Sequence, residues 1–486
     1  MTATDDISTR ADEPAPSAIV RETHTSYVLL FGDVAYKMKK SIRTDFLDFS
    51  TADQRRTACT REFTLNSRFA PDVYIGIADL SDPAGGPAEA LLKMQRLPDS
   101  TKLSTMALDG RDLTAELQVI SRIVASVHAD SPNRPSIQKQ GTSGSLKRRW
   151  HNNFVELREL NTNIVPKVTI DALERSSFRF IIGRDPLFAN RISRGRIVDG
   201  HGDLLADDIF CLTDGPRILD CLDFDYRLCY IDGIDYAAEQ FLTDYTEAAH
   251  DDPPRSLIDH YIAYRAVVRA KVACIRFRQG DNESRDDACR HIDMALSHSR
   301  QSTVTMTLVG GLPGTGKSTL SLAVGEETGA VVLSSDVVRK HLAGIHSLDA
   351  RPADVDQGLY TPVSTRCTYT EMLRRAAEHL GMGRSVVLDA SWNDVEKREE
   401  ARAVAAAAHA QLVEIECTVT RRVALDRIGR RVHGASDATS KIYHVMSQRR
   451  APWPQAGVVV DTSAPTTAST AIVVERIRHR QAQDCV

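Results

Sequence analysis

Residues 311–318 of this 486-residue chain read GLPGTGKS, and Thr319 follows. Three glycines let the backbone turn its N–H groups inward, a lysine comes next, and then a hydroxyl. That combination holds a polyphosphate. The flanks agree: TVTMTLVG leads in as an apolar strand, and STLSLAV leads out as a helix whose positive end faces the loop. Gly311, Leu312, Pro313, Gly314, Thr315, Gly316 and Thr319 are the expected cradle. Lys317 is expected to bridge the terminal phosphates and Ser318 to ligate Mg²⁺. ATP and Mg²⁺ are therefore the expected cofactors.

A second group of reactive residues lies upstream. HGDLLADDI, residues 201–209, is followed by a hairpin pattern, and Asp203, Asp208, Asp220 and Asp223 all fall near it. Carboxylates packed that closely repel one another unless a cation joins them. Further upstream, Glu62 shares one helical stripe with Ala58, Leu65 and Phe69, which puts a carboxylate on an apolar face. Such an inward Glu needs a cation against it.

Around the phosphate-binding loop, VVLSSDVVRKHLAG places Asp336 just past a strand and Arg339 one helical turn later. This D-x-x-R arrangement resembles the acceptor site of zeta-toxin-like and polynucleotide-kinase-like P-loop phosphotransferases. The resemblance implies that Asp336 acts as base toward an acceptor hydroxyl and that Arg339 steadies phosphate. SVVLDASW ends an apolar strand in Asp389, suited to the Mg²⁺–water shell. RRVALDRIGRR supplies Arg427, Arg430 and Arg431 where such kinases carry a lid, whose arginine neutralises charge on the transferred group. Blander readings are an N-cap for Asp336 and a solvated helix face for the arginines.

HGDLLADDIFCLTDGPRILDCLDF resembles the catalytic strand–loop–hairpin of the aminoglycoside-phosphotransferase family, and the resemblance extends over most of residues 17–295. It implies that Lys37, in VAYK, binds phosphate with Glu62 as its ion-pair partner, and Lys39, on the same strand face, is the fallback. It also implies that Asp203 is the catalytic Asp and that His201 holds the loop backbone. Asp208 stands at the family's metal-binding Asn position, and Asp is also a hard oxygen ligand. Leu205 replaces a frequent His. Either Asp220 or Asp223 is the second metal carboxylate, with Asp220 ranked first because it directly ends the apolar RIL run. A folded but inactive kinase-like scaffold is the competing account of this half. Arg265, Arg269 and Lys271 either line an acceptor cleft or form a solvated basic face.

The elements that must position these residues follow from pattern. Two hairpins are expected, turned at Gly32-Asp33 and Asp214-Gly215, with helices at 53–69, 113–129 and 255–278 and a strand at 87–97. Beyond 303 the order becomes alternating strand and helix, with strands at 304–310, 330–334, 385–389, 411–417 and 457–461. The expected organisation is a disordered tail (1–16), a kinase-fold domain (17–295), a polar linker (296–303) and a P-loop domain (304–486). The fold class is thus an α+β protein-kinase-like (aminoglycoside-phosphotransferase-like) domain followed by an α/β P-loop kinase domain with a parallel sheet. The whole resembles an actinobacterial-type fusion of those two families, the second half being of the AAA type.

Composition sets the outer limits. Hydrophobic residues at 42% and charged ones at 26% describe a chain able to build cores. The nine cysteines include no C-x-x-C pair and read as reduced. The N-terminus lacks a charged start and an apolar run, and no stretch is long enough for a membrane helix, so a cytoplasmic protein is expected. A net charge of −4 leaves no basic footprint for nucleic acid, arguing against 5′-end phosphorylation. The expected activity is phosphoryl transfer from ATP to a hydroxyl-bearing small molecule. The alternative is a nucleotide-sensing regulator whose kinase-like half is a binding module.

Overall fold

The computed structural model describes residues 19–23, 25–43, 48–132, 134–160, 164–202, 204–221, 235–346, 357–430 and 439–483. The chain forms two compact units, one from residues 1–137 and 197–252, the other from 138–196 and 253–486.

The first unit is built on an antiparallel sheet of five strands among the described residues. Their order is Ile19–Glu22, Ser26–Phe31, Val34–Lys39, Glu89–Gln95, Tyr74–Leu80. The expected first hairpin is present, with Phe31 opposite Val34 and Gly32 in the left-handed region at φ 56°. Helix Ala52–Asn66 starts at a capping box in which Thr51 and Gln54 satisfy each other's backbone N–H. It carries Glu62 inward, below the sheet strand that bears Lys37 and Lys39. Helix Thr114–Ala129 buries Leu117, Ile120 and Val124 against Leu204, Ile209 and Ile218. The second hairpin pairs Ile209–Leu212 with Gly215–Ile218.

The second unit holds a parallel sheet, again of five strands among the described residues. Its order is Val458–Asp461, Gln411–Thr418, Thr305–Gly310, Val386–Asp389, Val331–Ser334. Thr305–Gly310 is central and wholly buried, which is why it reads as a continuous apolar run. All five expected strands are found. The fold class is the one expected: a kinase-like α+β unit and an α/β P-loop unit.

The division between them is not the one expected. Helices Ser143–Leu160, Lys167–Gly183, Asp185–Ser193, Arg255–Arg278 and Ser284–Gln301 share one core with the parallel sheet, in which Trp150, Phe154, Phe180 and Val267 join Leu308, Val386 and Trp392. Residues 296–301 of the expected linker are the last turns of Ser284–Gln301. Ala288, Ile292, Ala295 and Ser299 recur there at helical spacing and are buried. The polar residues between them are the outer face of a packed helix, which in sequence is indistinguishable from a linker.

The basic residues of Arg255–Arg278 are engaged within this layer. Lys271 donates to Glu156 at 2.6 Å and to Asn153 at 2.9 Å. Arg265 is buried, and that burial, with Arg269 adding to it, brings its pKa down to about 10. They belong to the second unit.

Trp150 ties the layer together. It is 1% exposed, its Nε1 donates to His260 Nε2 at 3.1 Å, and its ring stacks on Phe154. Trp150→Ala should destabilise this unit by about 3–5 kcal/mol, because it opens a cavity and strips His260 of its donor. Urea unfolding followed by far-UV dichroism measures the loss; a change under 1 kcal/mol would contradict this packing role.

Candidate functional site

The phosphate-binding loop joins the central strand Thr305–Gly310 to helix Lys317–Thr328. Gly311 and Gly314 have φ of 140° and 76°, and a Cβ on Gly314 would strike the Ala424 carbonyl. Only glycine allows the backbone this close. Thr315 Oγ1 donates to the Leu312 carbonyl at 2.8 Å, and Lys317 Nζ donates to the same carbonyl at 3.0 Å. The lysine is thus folded over its own loop.

Asp389 ends strand Val386–Asp389, is 5% exposed, and accepts a hydrogen bond from Ser318 Oγ at 2.7 Å. A buried carboxylate requires such a partner. The hydroxyl and the carboxylate form a pair of hard oxygen donors beside Lys317. They fit a small divalent cation that takes its remaining ligands from water and phosphate. Among the described residues no three His, Cys, Asp or Glu side chains group as a metal site. A cation held partly by a bound polyphosphate needs no such group.

In front of the loop lies a cavity of about 730 Å³, lined by Lys317, Ser318, Asp336, Arg339, Tyr360 and Asp389, among others. Asp336 sits in the first turn of helix Ser335–Leu342, whose N-cap is Ser334. The N-cap reading of Asp336 therefore falls. Pattern reading had not found Tyr360, Arg366, Tyr369 or Asn393, which also line this wall. They come from loop and helix segments with no motif of their own.

Of the three arginines expected as a lid, Arg427 and Arg430 have different partners. Arg427 donates to the Thr462 carbonyl at 2.8 Å and to Thr462 Oγ1 at 3.2 Å. It lines a cavity of about 320 Å³ with Thr462 and Ser469, and Gly314, Gly316 and Thr319 of the phosphate loop line both this cavity and the larger one. Arg430 follows the end of helix Arg421–Gly429 and pairs with Asp426 at 2.9 Å on the surface. Arg431 lies outside the described residues.

In the first unit, Lys37 contacts Glu62 at 2.9 Å and Asp220 at 2.6 Å, while Lys39 contacts the other Glu62 oxygen at 2.5 Å. Glu62 does not choose between the lysines; it binds both. Burial opposes its ionisation, but Lys37 and then Lys39 outweigh that and hold its carboxyl below the usual range. Burial likewise works against the Lys37 ammonium, yet Asp220 and Glu62 raise its pKa well above the ordinary value.

Asp220 adopts φ 60°, a left-handed conformation that is uncommon for a residue with a side chain. The turn lets its N–H donate to Tyr74 Oη at 3.2 Å while its carboxylate meets Lys37. Tyr74, which sequence reading missed, has its phenol pushed well above its ordinary pKa by burial and then by Asp220. Leu219 N donates to the Asp208 carbonyl at 2.8 Å, so Asp208 stands across the hairpin mouth, opposite Leu219. His201 Nε2 lies 2.7 Å from the Leu219 carbonyl and fastens the loop to the hairpin, as the resemblance implies. Asp203 and Asp223 lie outside the described residues. Of the two candidates for second carboxylate, Asp220 is the one seen at Lys37.

A parallel sheet opens through a glycine loop onto a Lys–Ser–Asp set, and an antiparallel sheet carries a Lys–Glu–Asp set. A family model described as an AAA domain matches residues 306–453. The chain belongs to one family with an uncharacterized protein of Mycobacterium tuberculosis and one of Mycobacterium bovis, each 45% identical over 469 residues, covering 93% of this chain and 94% of theirs. Among solved structures, the GDP and kanamycin complex of APH(2")-IIia is 14% identical, covering 58% of this chain and 93% of that one at a TM-score of 0.37. The Mycobacterium tuberculosis APS kinase CysC, with AMPPNP and APS, is 18% identical, covering 36% and 96% at 0.29. Among the described residues no helix is long and apolar enough to cross a membrane.

Proposed function

We propose that the chain is an ATP- and Mg²⁺-dependent phosphotransferase acting on a hydroxyl-bearing small molecule at the P-loop cavity, with a second transfer at the kinase-like site. One observation carries this reading. The Ser318–Asp389 pair and Lys317 share a cavity with the carboxylate of Asp336, which is a phosphate-holding set facing a base. Ser318 and Asp389 would hold Mg²⁺, which would supply neutralisation of charge on the phosphates. The loop N–H groups and Lys317 orient the donor, and Asp336 takes the proton of the acceptor hydroxyl. In the kinase-like unit, Lys37 orients phosphate, with Glu62 fixing it. Asp208 and Asp220 supply metal oxygens there, and Asp203 receives the proton.

Steady-state Mg²⁺-dependent ATP consumption, with water as the acceptor, tests both sites in wild type, Asp336→Asn and Asp203→Ala. Each variant is expected to lose part of the rate, on the order of 10²–10⁴-fold at its own site. An unchanged rate in Asp203→Ala leaves the kinase-like half as scaffold. Tight ATP binding with no turnover in wild type would replace the transferase by a nucleotide-sensing protein.

A further inference from the structure

Asp220 stands on a turn whose backbone is held by three side chains from elsewhere in the first unit. His201 Nε2 lies 2.7 Å from the Leu219 carbonyl, and the Asp220 N–H donates to Tyr74 Oη at 3.2 Å. The Cys221 N–H donates to Asn66 Oδ1 at 2.7 Å. Asn66 is the last residue of helix Ala52–Asn66 and is fully buried. Its Nδ2 donates to the Cys221 carbonyl at 3.5 Å and to the Glu62 carbonyl at 2.9 Å. One carboxamide thus binds both backbone groups of Cys221, as a neighbouring strand would, and joins them to the helical turn that bears Glu62.

Packing alone does not call for an amide here. A leucine has the same branched shape and could be buried without the desolvation cost of a carboxamide. Closing the helix does not call for one either, since the Asn66 backbone carbonyl already accepts from the N–H groups of Phe69 and Ala70, each at 3.0 Å. The side chain is spent on Cys221, 155 positions along the chain. The turn at that point needs holding. Asp220 is left-handed at φ 60°, a conformation that persists in a residue with a side chain only where the surroundings fix it. The carboxylate so placed meets Lys37 at 2.6 Å, and Glu62, four residues before Asn66 on the same helix face, meets Lys37 at 2.9 Å.

We propose that Asn66 is a positioning residue of the kinase-like site: its carboxamide clasps the Cys221 backbone and holds the turn that presents the Asp220 carboxylate beside Lys37, where it would meet a metal ion. This rests on the reading of Asp220 as a metal carboxylate. One helix face then sets both partners, Lys37 through Glu62 and Asp220 through Asn66, so the phosphate-binding lysine and the carboxylate keep a fixed spacing.

Two measurements on the full chain test it. In a Lys317→Ala, Ser318→Ala background, which disables the phosphate loop, Mn²⁺ binding with AMPPNP is followed by electron paramagnetic resonance. Asn66→Leu should weaken Mn²⁺ at least about 10-fold, the scale of losing a group that orients a metal ligand. Asp220→Asn should weaken it too, and the double variant should lose less than the two losses combined. A lowered melting midpoint with unchanged Mn²⁺ affinity, or strict additivity, overturns the proposal.

The second measurement is hydrogen exchange of the peptide holding Leu219, Asp220 and Cys221. Mg²⁺–AMPPNP should slow it when Asn66 is present, because metal and clasp favour the same turn. If Asn66→Leu does not fold, this effect decides, and equal exchange with and without nucleotide overturns the proposal. If the background protein folds but binds no Mn²⁺, the transfer reading of the kinase-like half falls, and exchange without nucleotide decides on the clasp. Asn66→Leu should then speed exchange at least about 5-fold; an unchanged rate overturns it.

Discussion

Lys317→Ala should cut ATP turnover at the phosphate-binding loop by about 10²–10³-fold, the scale of losing one fixed donor to developing charge. The ammonium already lies at the loop, 3.0 Å from the Leu312 carbonyl, and shares its cavity with Ser318 and Asp389. No other lysine of that wall is available to replace it, since Lys397 is paired with Glu400 at 2.6 Å. The fold should tolerate the change: position 317 begins a helix, alanine is favoured there, and no ion pair holds the lysine among the described residues. The measurement is ATP consumption beside a melting curve. Full turnover in a well-folded Lys317→Ala protein would mean that the P-loop half is not the enzyme.

Glu62→Gln should produce the largest stability loss in the first unit, about 3–5 kcal/mol, the cost of removing one partner from a buried ion set. Lys37 and Lys39 are 13% and 12% exposed, and the substitution would leave two neighbouring ammonium groups with Asp220 as their remaining carboxylate. The test is a double-mutant cycle in denaturant with Lys39→Met. Removing the second cation should recover part of the loss, whereas strict additivity would show that Glu62 and Lys39 do not interact.

Acid should reveal the same cluster. Glu62 titrates below its ordinary 4.5 in the folded state, so its contribution is complete above that pH and is lost as pH falls through the lowered value. Lys37 is displaced upward, so its contribution is complete below 10.5 and is lost only as pH rises through its raised value. Wild type should therefore lose stability below about pH 4.5 more steeply than Glu62→Gln. Parallel acid profiles for the two would contradict the ion-set account.

What could be read beforehand was local. The residues of GLPGTGKS are contiguous, and their glycines prescribe a backbone shape that needs no other part of the chain. Alternation of apolar runs with helical stripes located every strand of the parallel sheet. An inward carboxylate needs a cation, and the resemblance of VAYK to the aminoglycoside-phosphotransferase family named Lys37 as the one for Glu62. That both lysines would reach it, and that Tyr74 would hold Asp220, depended on sheet register and on one left-handed residue.

The errors share a cause. A helical stripe states that a face is buried and leaves its partner unnamed, so helices 143–193 and 255–301 were assigned by chain order to the kinase-like half. In the folded molecule their apolar faces close one core with the parallel sheet, where Trp150 and Val267 meet Leu308 and Trp392. The contact of Arg427 with Thr462, 35 positions away, was likewise invisible to chain order. By itself, the sequence determined the phosphate loop, the two fold classes and the need for ion partners, because each follows from spacing or from the cost of a buried charge. Only the tertiary structure decided which helices complete which core, which arginines line the P-loop cavity, and that Arg339 Nε is buried there without a hydrogen-bond partner. Those outcomes depend on which surfaces meet, and contacts between distant segments leave no periodic mark in the chain.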